Sequence, residues 1–469
     1  MPVISLPLIK GKEVDKSADY RDFLPVNMLP ISDGAPNADG YFTNHPGIEQ
    51  IYAGTTGTSN GGTFNVVENA MYRMIGNKLI KNGAQVAVTE SIGRSEFAHS
   101  SLTTAFTGSN GKGYYWDGVT VTEFKNWQPG ESAQGPTNYD LSGVIDVTRN
   151  KSRYIWLAPP GFIVTDLQNE QRPDFVAPIY SAESDVDDNV AITTWRDYVV
   201  VIGRNSTEFF RLTGDAGQIY ASQPSLTTPF GCIATHAKCH FLGGIAVLGS
   251  PRNMPPTITL IPENGGQKLS SPEIDKILQT YNDNTLQNTV LEAAKWKGSD
   301  ILYVHLPLET ICYIAQTQTW VRLKSGLGNA RWSGIDMIYN AQAGYVECGD
   351  KASARVGKLI SEGAQYGVEQ EFYLQTPLVK VGKSCVYDLS IDSVSGFANK
   401  AVQMSVSATE NGYTYSAEYT TEISTPLDYT TLPIMRRIGG TRDKIGFRLR
   451  MVTADEINIS GFNVRIENG

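Results

Sequence analysis

The sequence predicts an all-β chain: a β-propeller-like array of repeated hairpins with a small helical insertion, followed by a C-terminal β-sandwich or jelly-roll-like domain. Three observations carry this expectation. Short apolar runs come in pairs split by turn residues, the pairs return at a near-constant interval, and from about Gln370 the pattern changes to clean apolar–polar alternation. The chain divides on this reading into an extended N-terminal arm (1–60), the hairpin array (61–369) and a sandwich (370–469). A length of 469 residues suits several domains, since single cores seldom grow past about 250–300 residues.

The first stretch, to about Asn60, is rich in Pro, Gly and Asn, which favour turns over regular ladders, so it reads as an arm. The hairpins follow. Ala70-MYRMIGNKLIKN-Gly83, Gly113-YYWDGVTVTE-Phe124 and Asp197-YVVVIGRNSTEFFR-Leu212 show the plan: two apolar runs around Gly-Asn, Asp-Gly or Gly-Arg-Asn, residues that tolerate positive φ. First runs fall near Tyr72, Tyr114, Ile155, Val199, Ala246 and Tyr303, at intervals of 42, 41, 44, 47 and 57 residues. A hairpin cannot bury its own faces, so such repeats must pack on their neighbours. Units of this length around an axis make a propeller; the alternative is a set of unrelated hairpins in sandwiches. Gly334-IDMIYNAQAGYVEC-Gly349 and Arg355-VGKLIS-Glu362 stand where a ring would be completed.

The long last interval holds the helical insertion, near 271–296. Ser271 can cap, Pro272 suits the first helical position, and Ile274, Ile277, Leu278 and Tyr281 recur at helical spacing. A second short helix is expected from Leu286 to Lys295. In the sandwich the expected strands are Phe372–Val381, Val386–Val394, Ala401–Ala408, Lys444–Val452 and Ile457–Ile466, with a turn at Asn411-Gly412.

Chemistry is sparse. No phosphate loop, nucleophile elbow or His-Glu-x-x-His occurs, so no catalytic residue, cofactor or metal is expected. Cys232, His236, Cys239 and His240 could offer four zinc ligands, but on a strand Cys239 points away from the other three, which are strung out at about 3.3 Å per residue. They read as a buried-thiol strand with polar edges. Asp185, Asp187, Asp188 and Asn189 lack the glutamate or glycine of a calcium loop and read as a solvated turn. Five scattered cysteines form no disulfide framework and point to assembly in a reducing cytoplasm. Met1–Lys12 has no basic-then-apolar pattern, and no run of about 18 apolar residues exists, so neither a secretion signal nor a membrane span is expected.

A net charge of −9 gives no basic surplus for gripping nucleic acid, although it suits a wall that DNA must slide past. One basic cluster stands out: Met435-Arg436-Arg437, then Arg442, Lys444, Arg448 and Arg450. Arg448 and Arg450 share a strand face, which fits either an acidic neighbouring subunit or DNA phosphates.

Several segments resemble a known family, in order and from end to end: Asp19-YRDFLPVN-Met28, Gly40-YFTNHPG-Ile48, Gly93-RSEFA-His99, Thr194-WRDYVVVIGRNSTEFFRLT-Gly214, Gln223-Pro224-Ser225, Cys348-Gly349-Asp350-Lys351 and Gly446-FRLR-Met451. They are similar to the tail hubs of short-tailed, Salmonella-type phages, also called packaged-DNA-stabilisation proteins or tail accessory factors and akin to nozzle proteins. The resemblance is weakest over Gly231–Gln267, and nothing is carried over there. The resemblance implies a structural virion protein made in the host bacterial cytoplasm: a homo-hexamer under the portal and adaptor rings, with the tail needle below and tailspikes at its side. It would extend the DNA channel and retain packaged DNA without reading its sequence. Expected interface residues are Tyr20, Leu24, Pro25 and Asn27 in the arm, with Arg448 and Arg450 in the basic stripe. The alternative function is a tail-associated carbohydrate-active propeller, a depolymerase, which needs two carboxylates facing one pocket.

Overall fold

The computed structural model describes the chain except for residues 1–2, 7–23, 33–39, 55, 92, 125–142, 160, 183–184, 186, 216, 251, 253, 262–264, 394–397, 431–432, 442 and 469. Seven antiparallel sheets follow one another as blades. Blade 1 comprises Ser59–Asn65, Ala70–Ile75, Lys78–Lys81 and Ala84–Val88; blade 2, Phe97–His99, Thr104–Thr107, Gly113–Trp116 and Val121–Glu123. Blade 3 has Asp146–Asn150, Arg153–Ala158 and Gly161–Val164; blade 4, Asn189–Trp195, Tyr198–Gly203, Thr207–Leu212 and Tyr220–Ser222. Blade 5 has Lys238–Phe241, Gly244–Gly249, Thr257–Ile261 and Gln267–Lys268; blade 6, Val290–Trp296, Ser299–His305, Thr310–Ile314 and Thr319–Ser325, extended by Ala330–Arg331.

Blade 7 is composite. Gly334–Asn340, Tyr345–Asp350 and Arg355–Ile360 are joined by Gly47–Ala53 from the other end of the chain, in antiparallel register from Ile360↔Gly47 to Arg355↔Ala53. The propeller is thus clasped by its own N-terminal strand. First strands pack on one another around the axis, blade 7 meeting blade 1, and a Thr193–His240 hydrogen bond of 3.1 Å joins blades 4 and 5.

The second strands explain why the repeat is legible. Ala70–Ile75 and Gly244–Gly249 are buried along their length, and so is Tyr198–Gly203 after its first residue, because a propeller blade has neighbours on both faces. Of the expected turns, Gly76-Asn77 and Asp117-Gly118 hold positive φ at their glycine, whereas Gly203-Arg204-Asn205 holds none; Asn82-Gly83 and Lys297-Gly298, not singled out in the sequence, hold it at two successive residues, the geometry that matches strand twist in a two-residue hairpin. In blade 2 the quoted hairpin is the third and fourth strand rather than the second and third.

Two expectations need correction. The helix Pro272–Gln279 forms, burying Ile274, Ile277 and Leu278, but Leu286–Lys295 is not a helix. A four-residue helical turn, Asp283–Leu286, ends where that stretch begins, and Val290–Trp296 is the first strand of blade 6. Val290 and Leu291 are drawn into the axial packing, and pairing with Ser299–His305 overrides helical preference.

The N-terminal region is also not an extended arm where it is described. Val3–Ser5, Met28–Ile31 and Tyr41–Asn44 are strands of a sandwich sheet, ordered Met28–Ile31, Tyr41–Asn44, Asn458–Asn468, Ser384–Ser393, Ile434–Thr441, with Val3–Ser5 also pairing on Asn458–Asn468. The facing sheet is ordered Gln370–Gln375, Lys444–Thr453, Val402–Thr409, Tyr419–Ser424. Met28 and Phe42 are buried with Leu389, Met404 and Phe462 in the sandwich core, which is why a segment with poor strand composition is nonetheless ordered there. The chain therefore starts in the sandwich, closes the propeller, runs round all seven blades and returns.

Candidate functional site

The propeller axis is a cavity of about 450 Å³ walled by the first strands and their entries from all seven blades. Its polar lining is charged: Arg94, Glu96, His236, Lys238, Glu292 and Asp336. Arg94 Nη2 lies 2.6 Å from Asp336 Oδ1, so the connection between blades 1 and 2 is tied to blade 7. Asp336 also accepts from Ser59 Oγ (2.6 Å) and Gly61 N (2.9 Å) of blade 1. Lys238 of blade 5 bridges two carboxylates, Asp146 of blade 3 at 3.0 Å and Glu96 of blade 2 at 3.6 Å. Asp146 further accepts from Ile192 N of blade 4, and Glu292 of blade 6 from Met337 N of blade 7.

One cation between the buried Asp146 and the half-buried Glu96 cannot satisfy both as anions. Burial pushes the Asp146 carboxyl up to about 7 against the pull of Lys238, while at Glu96 the cost of burial is outweighed by Lys238 and His236, which hold it well below the usual range. Glu292 is likewise pushed up to about 7, by burial and then by the charge of Asp336. Its other neighbour is His305, whose second ring nitrogen is 2.7 Å from Lys351 Nζ. Burial, then the positive charge of Lys351, drives His305 well below its ordinary value. Burial does the same to Lys351, which also contacts Thr310 Oγ1 and the Trp332 carbonyl, each at 3.2 Å.

These contacts close the axis. Arg94, His236 and Val290 line both this cavity and a second one of about 380 Å³ formed by the connections at one end of the propeller. A sphere only as wide as the roughly 12 Å major groove of B-DNA already fills roughly 900 Å³, so a duplex cannot thread a cavity of about 450 Å³. Each carboxylate is engaged by a cation, an imidazole or a backbone N–H, the arrangement of an inter-blade tie.

A second polar cluster joins propeller to sandwich, and most of the residues expected at a contact with another subunit lie in or beside this joint within the chain instead. Tyr20 lies outside the described residues. Leu24 packs against the largest apolar cluster of the propeller, and Pro25 is buried with its carbonyl accepting from Arg322 N at 2.9 Å. Val26 bridges Arg322 of blade 6 and Tyr373 of the sandwich. Asn27, 2% exposed and left-handed at φ 57°, donates from Nδ2 to the carbonyls of Lys324 (3.1 Å) and Glu371 (2.9 Å) and accepts from Lys324 N (3.0 Å). Its amide thus completes the backbone bonding of both domains at once.

Beside it the buried side chains of Lys324 and Glu371 form an ion pair across the joint, and Arg450 pairs with the other oxygen of Glu371. Arg448 lies over Tyr415, 4.2 Å to the ring centre, with Glu418 at 4.0 Å. On the other flank, Asn44 Nδ2 donates to the Ser361 carbonyl (2.8 Å), and His45 hydrogen-bonds Tyr303 of blade 6 (3.0 Å) while packing edge-on to Trp332. Of the segments carrying the family resemblance, 24–28, 41–48 and 448–451 therefore meet at the joint, while 94–97 and Thr194 line the axis.

The cysteine–histidine cluster is dispersed. Cys232 Sγ is buried against the Ala234 and Ala237 carbonyls, His236 Nδ1 is 2.6 Å from Glu96, and His240 bonds Thr193. Asp187 caps Asn205 N across the blade 4 turn, while Asp185 pairs with Arg252. The axial network was not foreseen, because its members come from seven separated stretches; the one local hint is the charge of Arg94 and Glu96 at a strand entry.

A clasped seven-bladed propeller with a plugged axis, joined to a sandwich through buried polar contacts, defines a rigid building block: a structural subunit. Comparison with known proteins places it more narrowly. Residues 4–364 match the family model described as the Bacteriophage P22 Gp10 β-propeller, and residues 371–467 match the P22 Gp10 β-sandwich. The tail hub protein gp10 of Salmonella phage P22 is 35% identical over 480 residues, covering 100% of both chains. The chain belongs to the P22 Gp10 tail hub family and is a structural tail protein. Among solved structures, it is similar to the computationally designed Ika8 protein (12% identity, TM-score 0.39, 72% of this chain and 100% of that one). It is also similar to the Myceliophteria thermophila Cps50 (Swd1) β-propeller domain (8% identity, TM-score 0.41, 66% and 99%). Among the described residues no helix is long and apolar enough to cross a membrane.

Proposed function

We propose that six copies of this chain close into a ring that extends the DNA channel below the portal and adaptor, with the tail needle beneath and tailspikes at the side. The ring retains packaged DNA, is assembled from subunits made in the host bacterial cytoplasm, and reads no DNA sequence. The observation that carries this reading is the closed propeller axis: with Arg94, Glu96, His236 and Lys238 plugging it, a conduit for DNA must run between copies. A head-to-tail contact closes into a ring when its rotation divides the circle. The joint around Asn27 and Lys324–Glu371 supports the same reading, because it lets each copy hold its two domains as one body in such a wall. The net charge of −9 gives that wall no general affinity for phosphate.

The test is DNA retention. Particles assembled without the protein are expected to package DNA and then lose it to added nuclease, and purified protein added back is expected to protect it. Particles that keep nuclease-resistant DNA without this chain would contradict the proposal.

A further inference from the structure

The charges at the joint form a ladder that is left open at one end. From the buried joint outward to the sandwich surface they alternate: Lys324 of blade 6, then Glu371, Arg450, Glu418 and Arg448 of the sandwich. The inner members are close pairs, but the spacing loosens outward, with Arg450 Nη1 at 3.6 Å and Arg448 Nη2 at 4.0 Å from Glu418. A charge-assisted N–H···O bond to carboxylate runs at about 2.7–2.9 Å, so Glu418 does not saturate the terminal arginine.

Arg448 is also held in place. Its guanidinium lies 4.2 Å from the centre of the Tyr415 ring and 5.9 Å from that of Tyr373. Its Nε is buried and has no hydrogen-bond partner among the described residues; the same is true of Oε1 of Gln375, which stands opposite it in the ladder. A planar guanidinium fixed against aromatic rings, with its Nε turned inward and 30% of its side chain exposed, is suited to receiving a carboxylate end-on through its two Nη groups.

We propose that Arg448 is the anchor of a contact between copies, receiving an Asp or Glu side chain from a second copy of this chain. This rests on the ring reading above. The occupant follows from charge: the chain carries 48 acidic against 39 basic residues, so a neighbouring copy presents carboxylates readily. Exposed carboxylates stand on other blades: Asp197, at the tip of blade 4, keeps 73% of its side chain exposed while paired with Lys151. A head-to-tail contact needs such complementary patches on different flanks of one subunit.

The experiment uses full-length R448K assembled into tails from a mixture of light and isotopically heavy chains, treated with a zero-length carbodiimide. The reagent joins an amine to a carboxylate with loss of water, and mass spectrometry of the peptides distinguishes joining within a copy from joining between copies. The expected result is a light–heavy cross-link from position 448 to an acidic peptide. R448Q, which removes the charge without setting an anion beside Glu418, is expected to lower the yield of assembled hubs by roughly tenfold, the factor that accompanies about 1.4 kcal/mol, while the isolated chain still unfolds cooperatively. Cross-links from position 448 confined to Glu418 of the same copy, or reaching only another tail protein, overturn the proposal while intact hubs of several copies leave the ring reading standing. Native mass spectrometry showing one copy per tail overturns both.

Discussion

The guanidinium of Arg94, on the connection between blades 1 and 2, lies 2.6 Å from the carboxylate of Asp336 in blade 7. Asp336 also bonds Ser59 Oγ and Gly61 N of blade 1, so this pair sits on the seam where the ring of blades closes. Burial would raise Asp336, but Arg94 and the Ser59 hydroxyl hold it below the ordinary carboxylate range. Replacing a buried pair by apolar groups can be neutral, whereas removing one partner leaves an uncompensated charge.

Arg94→Met is therefore expected to destabilise the chain by about 2–4 kcal/mol, because Asp336 is 4% exposed and cannot recover water. Arg94→Met combined with Asp336→Asn should recover part of that loss. Urea unfolding followed by tryptophan fluorescence checks both, and a single-variant cost below about 0.5 kcal/mol would show that the tie contributes nothing.

At the domain joint, Asn27 makes three hydrogen bonds from a left-handed backbone. Asn27→Gly keeps the conformation and loses the bonds, at about 1 kcal/mol each plus the cost of buried groups left unpaired. Asn27→Ala adds about 1–2 kcal/mol of backbone strain on top. Calorimetry should show the propeller and sandwich melting separately in both variants and further apart in the alanine variant. Equal effects of the two substitutions would contradict the role assigned to the backbone.

The pH dependence of stability has two limbs. All five histidines, His45, His99, His236, His240 and His305, are pushed below their ordinary value, in each case first by burial, His45 to about 3. The unfolded chain binds protons at these sites that the folded chain refuses, so stability falls as pH drops below about 6.5. Glu292, raised to about 7, has the opposite sign: the folded chain holds a proton that the unfolded chain has released, and stability falls as pH rises through 7. Glu292→Gln should remove about 1 kcal/mol of the loss between about pH 6.5 and 8 while leaving the acid limb in place. Denaturation midpoints from acid to mildly alkaline pH measure both limbs; an unchanged alkaline limb in the glutamine variant would contradict the assignment.

The blades are legible in the sequence where local burial is continuous. Runs such as Ala70–Ile75 and Tyr198–Gly203 are second strands covered on both faces, and their interval is the interval of the fold. Sandwich strands such as Lys444–Thr453 alternate because only one face is buried. What escaped depends on distant partners. Gly47–Ala53 is exposed along most of its length, and only its pairing with Arg355–Ile360 makes it a blade strand. Met28–Ile31 and Tyr41–Asn44 are strands because the sandwich core receives Met28 and Phe42. Strands Tyr419–Ser424 and Ile434–Thr441, one largely exposed and the other rich in Arg and Gly, offer no alternation to read. Lys238 lies within a stretch that attracts attention for its cysteines and histidines, yet its partners Asp146 and Glu96 could be found only once the ring was closed.

The most direct test is electron cryomicroscopy of intact virions at side-chain resolution, reading where the DNA runs relative to each propeller. The predicted result is six copies around the tail axis, DNA density on that axis between the copies, and each propeller closed by Arg94–Asp336 and Lys238–Asp146. DNA density passing through a propeller, or the protein absent from the tail axis, would contradict the central claim.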